Sequence, residues 1–124
     1  MSFEALLREI VEGCGGGIGA ALMGNDGIPI EQVTASQAVS SPLAEDIATA
    51  GTEFGRILEE IRKASDAIAG GALTEASVVL DRFSIVFRVI DSDTFMAVVV
   101  APNGNLGKAR YLMRRYQLAI RQEL

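Results

Sequence analysis

The sequence predicts an α+β fold with the element order α-β-β-α-β-β-β-α, in which five strands form one mostly antiparallel sheet and helices cover its faces. Three observations lead to this prediction. Apolar residues recur with helical spacing in three segments, they alternate with period two around residue 85, and the run at 94–100 is apolar on both faces. At 124 residues the chain can form one core, so we expect a single domain over residues 1–124.

The N-terminal part predicts a helix followed by a hairpin. Apolar residues from Phe3 to Val11 follow helical spacing, and a strand of small apolar residues covers 17–23. Asn25-Asp26-Gly27 is a strong hairpin turn, because these residues tolerate positive φ. The next strand contains Pro29, which cannot donate a ladder hydrogen bond, so we place this strand near an edge of the sheet.

The middle of the chain predicts a long helix from Pro42 to about Ala69, with Ser41 as its candidate N-cap. Three strands follow over 73–80, 83–89 and 94–100, and the last of them is expected at the centre of the sheet. This arrangement is of the profilin-like kind.

The final helix runs to the C-terminus and is capped by Asn105 or Asn103. From Lys108 onward the chain carries a local charge of +4, whereas the rest carries −9. We expect one face of this helix to pack on the core and its arginines to extend to water, where a partner could meet them. A membrane-surface role is disfavoured by the acidic remainder of the domain.

The long helix carries two apolar stripes. Its large residues are expected to pack on the sheet, and they are Leu43, Ile47, Ala50, Phe54, Ile57, Leu58 and Ile61. Beside them lies a stripe of small residues, which are Ala44, Ala48, Gly51 and Gly55. Each glycine inside a helix costs about 1 kcal/mol relative to alanine. The two glycines therefore indicate that another backbone approaches this stripe, unless they lie under a loop of the same chain or are simply tolerated.

The five-stranded sheet leaves the strand at 73–80 with an unpaired edge, which has little protection beyond Glu75. Symmetric pairing of this strand and of the small stripe would cover both features, so we expect a homodimer. The residues predicted for the dimer interface are Ala44, Ala48, Gly51, Gly55, Leu73, Glu75, Ser77 and Val79.

The composition argues against several classes of function. The chain has no histidine, so the usual His-based catalytic triads and metal sites cannot form, and we expect a non-catalytic protein without cofactor or metal. The net charge of −5 argues against nucleic-acid binding. The single cysteine, Cys14, and the lack of a long apolar segment or a signal sequence favour a cytoplasmic protein without membrane insertion.

A glycine-rich segment superficially matches a dinucleotide-binding fingerprint, with Gly15, Gly17 and Ala20 in the positions of G-x-G-x-x-A. However, this match follows a helix and begins a strand, whereas phosphate binding requires a strand, a loop and then the start of a helix. We interpret the segment as a helix stop and a closely packed start of the first strand.

The chain resembles the roadblock/dynein-light-chain family over essentially its whole length. The resemblance rests on the order of elements, on the glycine-rich start of the first strand, and on two short segments, 22–30 and Asn105-Leu106-Gly107-Lys108-Ala109-Arg110. Within the family it is similar to the bacterial GTPase regulators of MglB type. The resemblance implies a homodimer with paired central helices, which binds a small Ras-like GTPase (MglA type) and stimulates hydrolysis by arranging the GTPase's own residues. No long tail follows Leu124, so no tail-dependent activity is expected.

The resemblance also implies that the GTPase sits near the central helices. The matching positions, predicted as partner-binding residues, are Ala48, Gly51, Thr52, Glu53, Gly55, Arg56 and Glu59. The main alternative is a structural dimerisation module in a scaffold or motility complex, without any effect on GTP hydrolysis. A small-molecule sensor is a third possibility, which the lack of convergent polar residues in the predicted core disfavours.

Overall fold

The structure of the protein is a computed structural model, which describes residues 1–35 and 47–124. Its elements confirm the predicted α+β order and the single five-stranded sheet. The predicted start of the long helix, with Ser41, Pro42, Leu43 and Ala44, lies outside the described residues. The observed bounds are α1 Phe3–Gly13, β1 Gly17–Gly24, β2 Pro29–Thr34, α2 Ile47–Ala67, β3 Glu75–Val79, β4 Ser84–Val89, β5 Thr94–Val100 and α3 Leu106–Glu123.

The strands lie side by side in the order β2-β1-β5-β4-β3, and all neighbouring pairs are antiparallel. Strand β5 is central and buried along its whole length, because helices cover both faces of the sheet. Strand β2 forms one edge, where the missing N–H of Pro29 costs no central ladder bond. The sequence analysis had predicted both the central position of β5 and the edge position of β2. Strand β3 forms the other edge and is shorter than predicted.

Two apolar layers enclose the sheet. Helices α1 and α3 cover one face, with Leu7, Ile10, Met113 and Ile120 at the centre of that layer. Helix α2 covers the other face, where Phe87 contacts Phe54 and Phe95 with ring centroids 5.5 and 6.2 Å apart. Any surface on α2 is therefore separated from any surface on α3 by the thickness of the sheet.

The glycine-rich segment after α1 is a close-packed corner, as the sequence analysis interpreted it. A Cβ at Gly16 would lie 2.6 Å from the Cα of Gly104, and Gly16 itself has φ +83°. The carbonyl oxygens of Gly15 and Gly16 accept hydrogen bonds from the amides of Asn105 and Ala101, at 2.9 and 2.8 Å. This corner joins the end of α1 to the loop before α3.

Helix α3 begins after Asn105, whose Oδ1 accepts a 2.9 Å hydrogen bond from the amide of Lys108. The structure thus chooses Asn105 over Asn103 as the cap. Neighbouring Cys14 is buried, and burial raises the pKa of its thiol, which keeps it protonated and poorly nucleophilic at neutral pH.

Helix α2 packs on the sheet through part of the predicted face, since Ala50 and Phe54 also pack against that core. Ile47 and Leu58 are buried as expected, but the side chains of Ile57 and Ile61 remain 50% and 39% exposed. The helix is rotated toward its glycine side, because a glycine lets the helix backbone come close to the bulky side chains of the sheet. The sequence analysis had placed the large apolar residues at the centre of the contact between α2 and the sheet. In the structure, the centre of that contact lies nearer to the glycines.

Candidate partner-binding surfaces of helix α2

The glycines of the small stripe face the sheet of their own chain. A Cβ at Gly51 would lie 3.0 Å from Sδ of Met23, and one at Gly55 would lie 3.2 Å from Cζ of Phe95. Gly51 is buried within its own chain, which argues against its predicted place in a partner or dimer surface. Its physical role is a close contact between α2 and the sheet. Ala44 lies outside the described residues, and so does the side chain of Ala48.

The flank of α2 that follows the glycines borders a polar groove. Four of the predicted partner-binding residues line a cleft of about 240 Å³ together with the β1–β2 turn and Phe95. Within α2 these four residues are Thr52, Gly55, Arg56 and Glu59. A second cleft, of about 390 Å³, continues along the same flank and shares Asn25 and Glu59 with the first. Gly55 therefore contributes to this groove, unlike Gly51.

The β1–β2 turn that forms the opposite wall is held in place from three sides. Thr52 Oγ1 donates a 3.0 Å hydrogen bond to the carbonyl oxygen of Gly27, which has φ +86°. Asn25 Nδ2 donates to the carbonyl oxygen of Ser92 at 2.7 Å, which ties the turn to the β4–β5 turn. Asp26 Oδ1 accepts from the amide of Ile28 at 3.0 Å. The groove thus has a preorganised polar wall, with the exposed Ile28 side chain in the same turn region.

The charged side chains along the groove form ion pairs with neighbours one turn away on α2. Arg56 lies 3.4 Å from Glu53, and Arg62 lies 3.0 Å from Glu59, each pair being one turn apart on α2. The side chains of Glu53 and Arg56 are 62% and 74% exposed, and Glu53 lies outside the cleft. Exposed pairs of this kind contribute about 0–1 kcal/mol. A partner with complementary charges can therefore replace them at little cost.

The opposite flank of α2 is apolar and open. Ile57, Ile61, Ala64 and Ile68 follow one another at helical spacing, and Ile68, just beyond the helix, is 79% exposed. A stripe of large apolar residues on one flank marks an interaction surface more often than isolated exposed residues do. The sequence analysis assigned Ile57 and Ile61 to the core. No local signal separates them from the buried members of the same arc, because the arc spans about 100°, a width that one helix face can bury.

Strand β3 adds an unpaired backbone edge to the molecule. Ser77 and Val79 are exposed, with Val79 at 72%, and Leu73 is half-buried against the α2-side core. Leu80, just after the strand, is 42% exposed. An edge of this kind can accept a further strand from another chain.

Glu75, which was expected at the dimer interface, is engaged within its own chain. Its two carboxylate oxygens accept hydrogen bonds from Nε and Nη2 of Arg110 on α3, at 2.9 and 3.0 Å. Arg88 of β4 lies 3.9 Å away and donates in turn to Gln117 of α3. The Arg110 hydrogen bonds lower the pKa of Glu75. This side chain therefore fastens edge strand β3 to α3.

Among the described residues, no group of three or more cysteine, aspartate or glutamate side chains is placed to hold a metal ion. In the same part of the chain, no helix is both long and apolar enough to cross a bilayer.

The fold is that of the roadblock/LC7 domains. A roadblock/LC7 domain from Streptomyces avermitilis superposes with a TM-score of 0.83 at 17% identity, covering 99% of this chain and 98% of that one. MglC from Myxococcus xanthus is similar at 28% identity with a TM-score of 0.71, and both chains are covered completely. The gliding protein MglB from Thermus thermophilus gives a TM-score of 0.82 at 16% identity, over 95% of this chain and 84% of that one.

These similarities confirm the resemblance to the roadblock family and its bacterial Mgl-type members, which the sequence motifs had indicated. No protein-family model matches the sequence, and no curated protein matches it.

Proposed function

We propose that this chain is a cytoplasmic homodimeric adaptor that binds a small Ras-like GTPase of MglA type and modulates its GTP hydrolysis. The observation that carries the proposal is the different chemistry of the two open flanks of α2. One flank is a stripe of exposed large apolar side chains, and the other borders a groove that carries the charged side chains of Arg56 and Glu59 and has a rigid wall. The two flanks suit two different partners.

The apolar flank suits a second copy of the chain. Ile57 and Ile61 lie on the helix that covers the same face of the sheet against which Leu73 and Val78 pack, and the β3 edge offers backbone hydrogen bonds. In a two-fold dimer each surface meets its own copy, so both would be covered at once. Such an interface buries about 1,200–2,000 Å² or more. The structure of MglB in a tetrameric arrangement supports self-association in proteins of this fold.

The polar groove suits the GTPase. Its rigid turn and its weakly paired charges at Arg56 and Glu59 give a surface that can hold a partner loop without large rearrangement. A protein that holds switch loops in their competent geometry raises the hydrolysis rate without supplying a catalytic group. To act in this way, it must bind the GTP-bound state more tightly than the GDP-bound state. The Thermus thermophilus neighbour is a gliding protein, which supports a role in motility or polarity.

The test uses an MglA-type GTPase loaded with GTP or GDP, and measures its affinity for the chain and its single-turnover hydrolysis rate. We expect tighter binding of the GTP-bound form and a faster rate. The double variant Arg56→Glu with Glu59→Lys should weaken binding about tenfold or more. Arg121→Glu, on α3 across the sheet, is the matched control and should bind normally.

Two outcomes would reject parts of the proposal. Binding without any change in the hydrolysis rate would favour the alternative of a structural dimerisation module in a scaffold or motility complex. Full affinity in the Arg56/Glu59 double variant would show that the groove is not the GTPase site.

A further inference from the structure

Helix α3 presents a second charged surface, on the face of the sheet opposite to α2. Five residues form its outward stripe, which we call the α3 outer stripe: Lys108, Tyr111, Arg114, Arg115 and Leu118. All five are exposed, and the two large apolar members, Tyr111 and Leu118, are 49% and 63% exposed. Tyr111 and Leu118 lie two helical turns apart on one line along the helix. Arg114 and Arg115 lie between them in the chain, one on either side of that line.

The cations of this stripe differ from most other basic residues of the described chain, which are paired with a carboxylate. Arg110, at the border of the stripe, is committed to Glu75. In contrast, the residues that the structure describes place no carboxylate within ion-pair distance of Lys108, Arg114 or Arg115. From Lys108 onward the chain has a local charge of +4 against −9 elsewhere. The positive charge is therefore concentrated on this helix and largely unneutralised.

One cation of the stripe is already oriented. Arg115 Nη1 lies 3.4 Å from the hydroxyl oxygen of Tyr111, and its guanidinium carbon lies 5.9 Å from the centre of the Tyr116 ring. These contacts hold a long side chain beside the aromatic ring without neutralising it. A preoriented arginine loses less conformational entropy when it binds a carboxylate.

We infer that the α3 outer stripe is a docking surface for an acidic, amphipathic segment of another protein. Carboxylates of that segment would meet Arg114 and Arg115, and an apolar side chain would cover Leu118 and Tyr111. Because α2 lies on the other face of the sheet, such a partner can bind at the same time as one on the α2 groove. The chain then connects two different proteins.

An acidic protein segment fits this surface better than an anionic membrane does. Lipid-binding helices usually gather about four to eight cations. Of the five on α3, Arg110 is bound to Glu75 and Arg121 lies outside the stripe, which leaves three for a common surface. The rest of the domain is strongly acidic and would be repelled by an anionic leaflet. Two exposed apolar side chains on an otherwise charged stripe provide anchors for a partner side chain and little area for insertion into lipid.

The experiment titrates the isotopically labelled chain with a designed helical peptide of about 18 residues, long enough to cover the stripe at 1.5 Å per residue, and follows backbone amide shifts. The peptide carries leucines along one face and glutamates beside them, and its counterpart carries lysines in place of the glutamates. We expect the acidic peptide to shift amides of residues 108–121, with an affinity that falls as salt rises. The lysine peptide should cause no shifts there.

Variants make the test specific. Arg114→Glu with Arg115→Glu should weaken the acidic peptide about tenfold or more, and Leu118→Ser should weaken it by a smaller factor. Arg56→Glu, on the α2 groove, should leave the affinity unchanged. All four residues are exposed, so the fold should persist, as a preserved amide spectrum would show.

Three results would overturn the inference. One is the absence of shifts on α3 at millimolar peptide, and another is equal affinity for the Arg114/Arg115 double variant. The third is binding of the wild-type chain, and not of that variant, to phosphatidylserine vesicles while the acidic peptide fails to bind. That last result would assign the stripe to a lipid surface.

Discussion

Gly51 of α2 lies against Met23 of β1 so closely that a Cβ at this glycine would be 3.0 Å from the thioether sulfur. This contact sets how near the helix comes to the sheet. It also fixes which residues of α2 remain outside, because a helix that packs through its glycines turns its neighbouring isoleucines away from the core.

Replacing Gly51 by valine should therefore destabilise the protein, although valine has the higher helix propensity. The added atoms would overlap Sδ, Cγ and Cε of Met23, which lie 3.0, 3.1 and 3.2 Å from the Cβ position. Overpacking of this kind costs about 1–3 kcal/mol. Chemical denaturation would measure the change, with Ala67→Val, exposed on the same helix and outside the apolar stripe, as control. An equal effect of the two substitutions would contradict the proposed contact.

The double variant Ile57→Asp with Ile61→Asp should abolish self-association and leave the fold of each chain intact. Both side chains are substantially exposed, so their replacement removes few contacts within one chain. Light scattering should change from twice the 13.1 kDa chain mass to a single chain, while circular dichroism keeps its helical signal. Lys63→Glu, another exposed position of α2, should remain dimeric. A wild-type chain that is monomeric at micromolar concentration would disprove the dimer.

Glu75→Gln should loosen the edge strand. The substitution replaces a carboxylate that accepts two hydrogen bonds from Arg110 by a neutral amide, and leaves Arg88 without its acidic partner. Hydrogen bonds to charged groups contribute about 1.5–3 kcal/mol to stability when well formed. Because this site is partly exposed, we expect the substitution to lower the free energy of unfolding by an amount at or below the lower end of that range. Hydrogen exchange should rise first in β3. Glu53→Gln, whose partner is one turn away on α2, should have almost no effect.

The contribution of Glu75 to the free energy of unfolding should decrease as the pH falls into the acid range. Its folded-state pKa is lowered below the ordinary value of 4.5 by the Arg110 hydrogen bonds. The stabilisation is therefore complete at pH values above about 4.5 and is lost as the pH falls through the lower folded-state pKa. The difference in unfolding free energy between wild type and Glu75→Gln should be constant near neutral pH and shrink in acid. A difference that grew on acidification would contradict this assignment.

Asn105→Ala should cost about 1 kcal/mol, the usual value for losing an N-cap side chain. The Oδ1 atom of Asn105 accepts from the amide of Lys108, which otherwise has no helical partner. Asn103→Ala in the preceding turn is the control, because this asparagine is the other cap that the sequence allowed. Thermal unfolding would compare the two variants with the wild type. An equal loss of stability in Asn103→Ala would argue against Asn105 as the cap.

The elements and their order could be predicted because each has its own local signal. Helical spacing marked α1 and α3, and the run at 94–100 marked the buried centre of the sheet. Pro29 indicated an edge strand, which the strand order confirms. The structure brings together only some of the predicted partner-binding and dimer-interface residues. Thr52, Arg56 and Glu59 line one groove as a group, whereas Gly51 is buried between α2 and the sheet and Glu75 is bound to α3.

The sequence by itself determined the fold class and the central and edge strands. Those properties depend on residue type and spacing within one element. Only the tertiary structure decided how α2 is rotated, and hence that Ile57 and Ile61 are exposed whereas Gly51 is buried. The rotation depends on the surface that the helix meets, where Met23 and Phe95 are bulky and require glycines opposite them. A helical wheel shows where large apolar residues lie, but not what shape they must pack against.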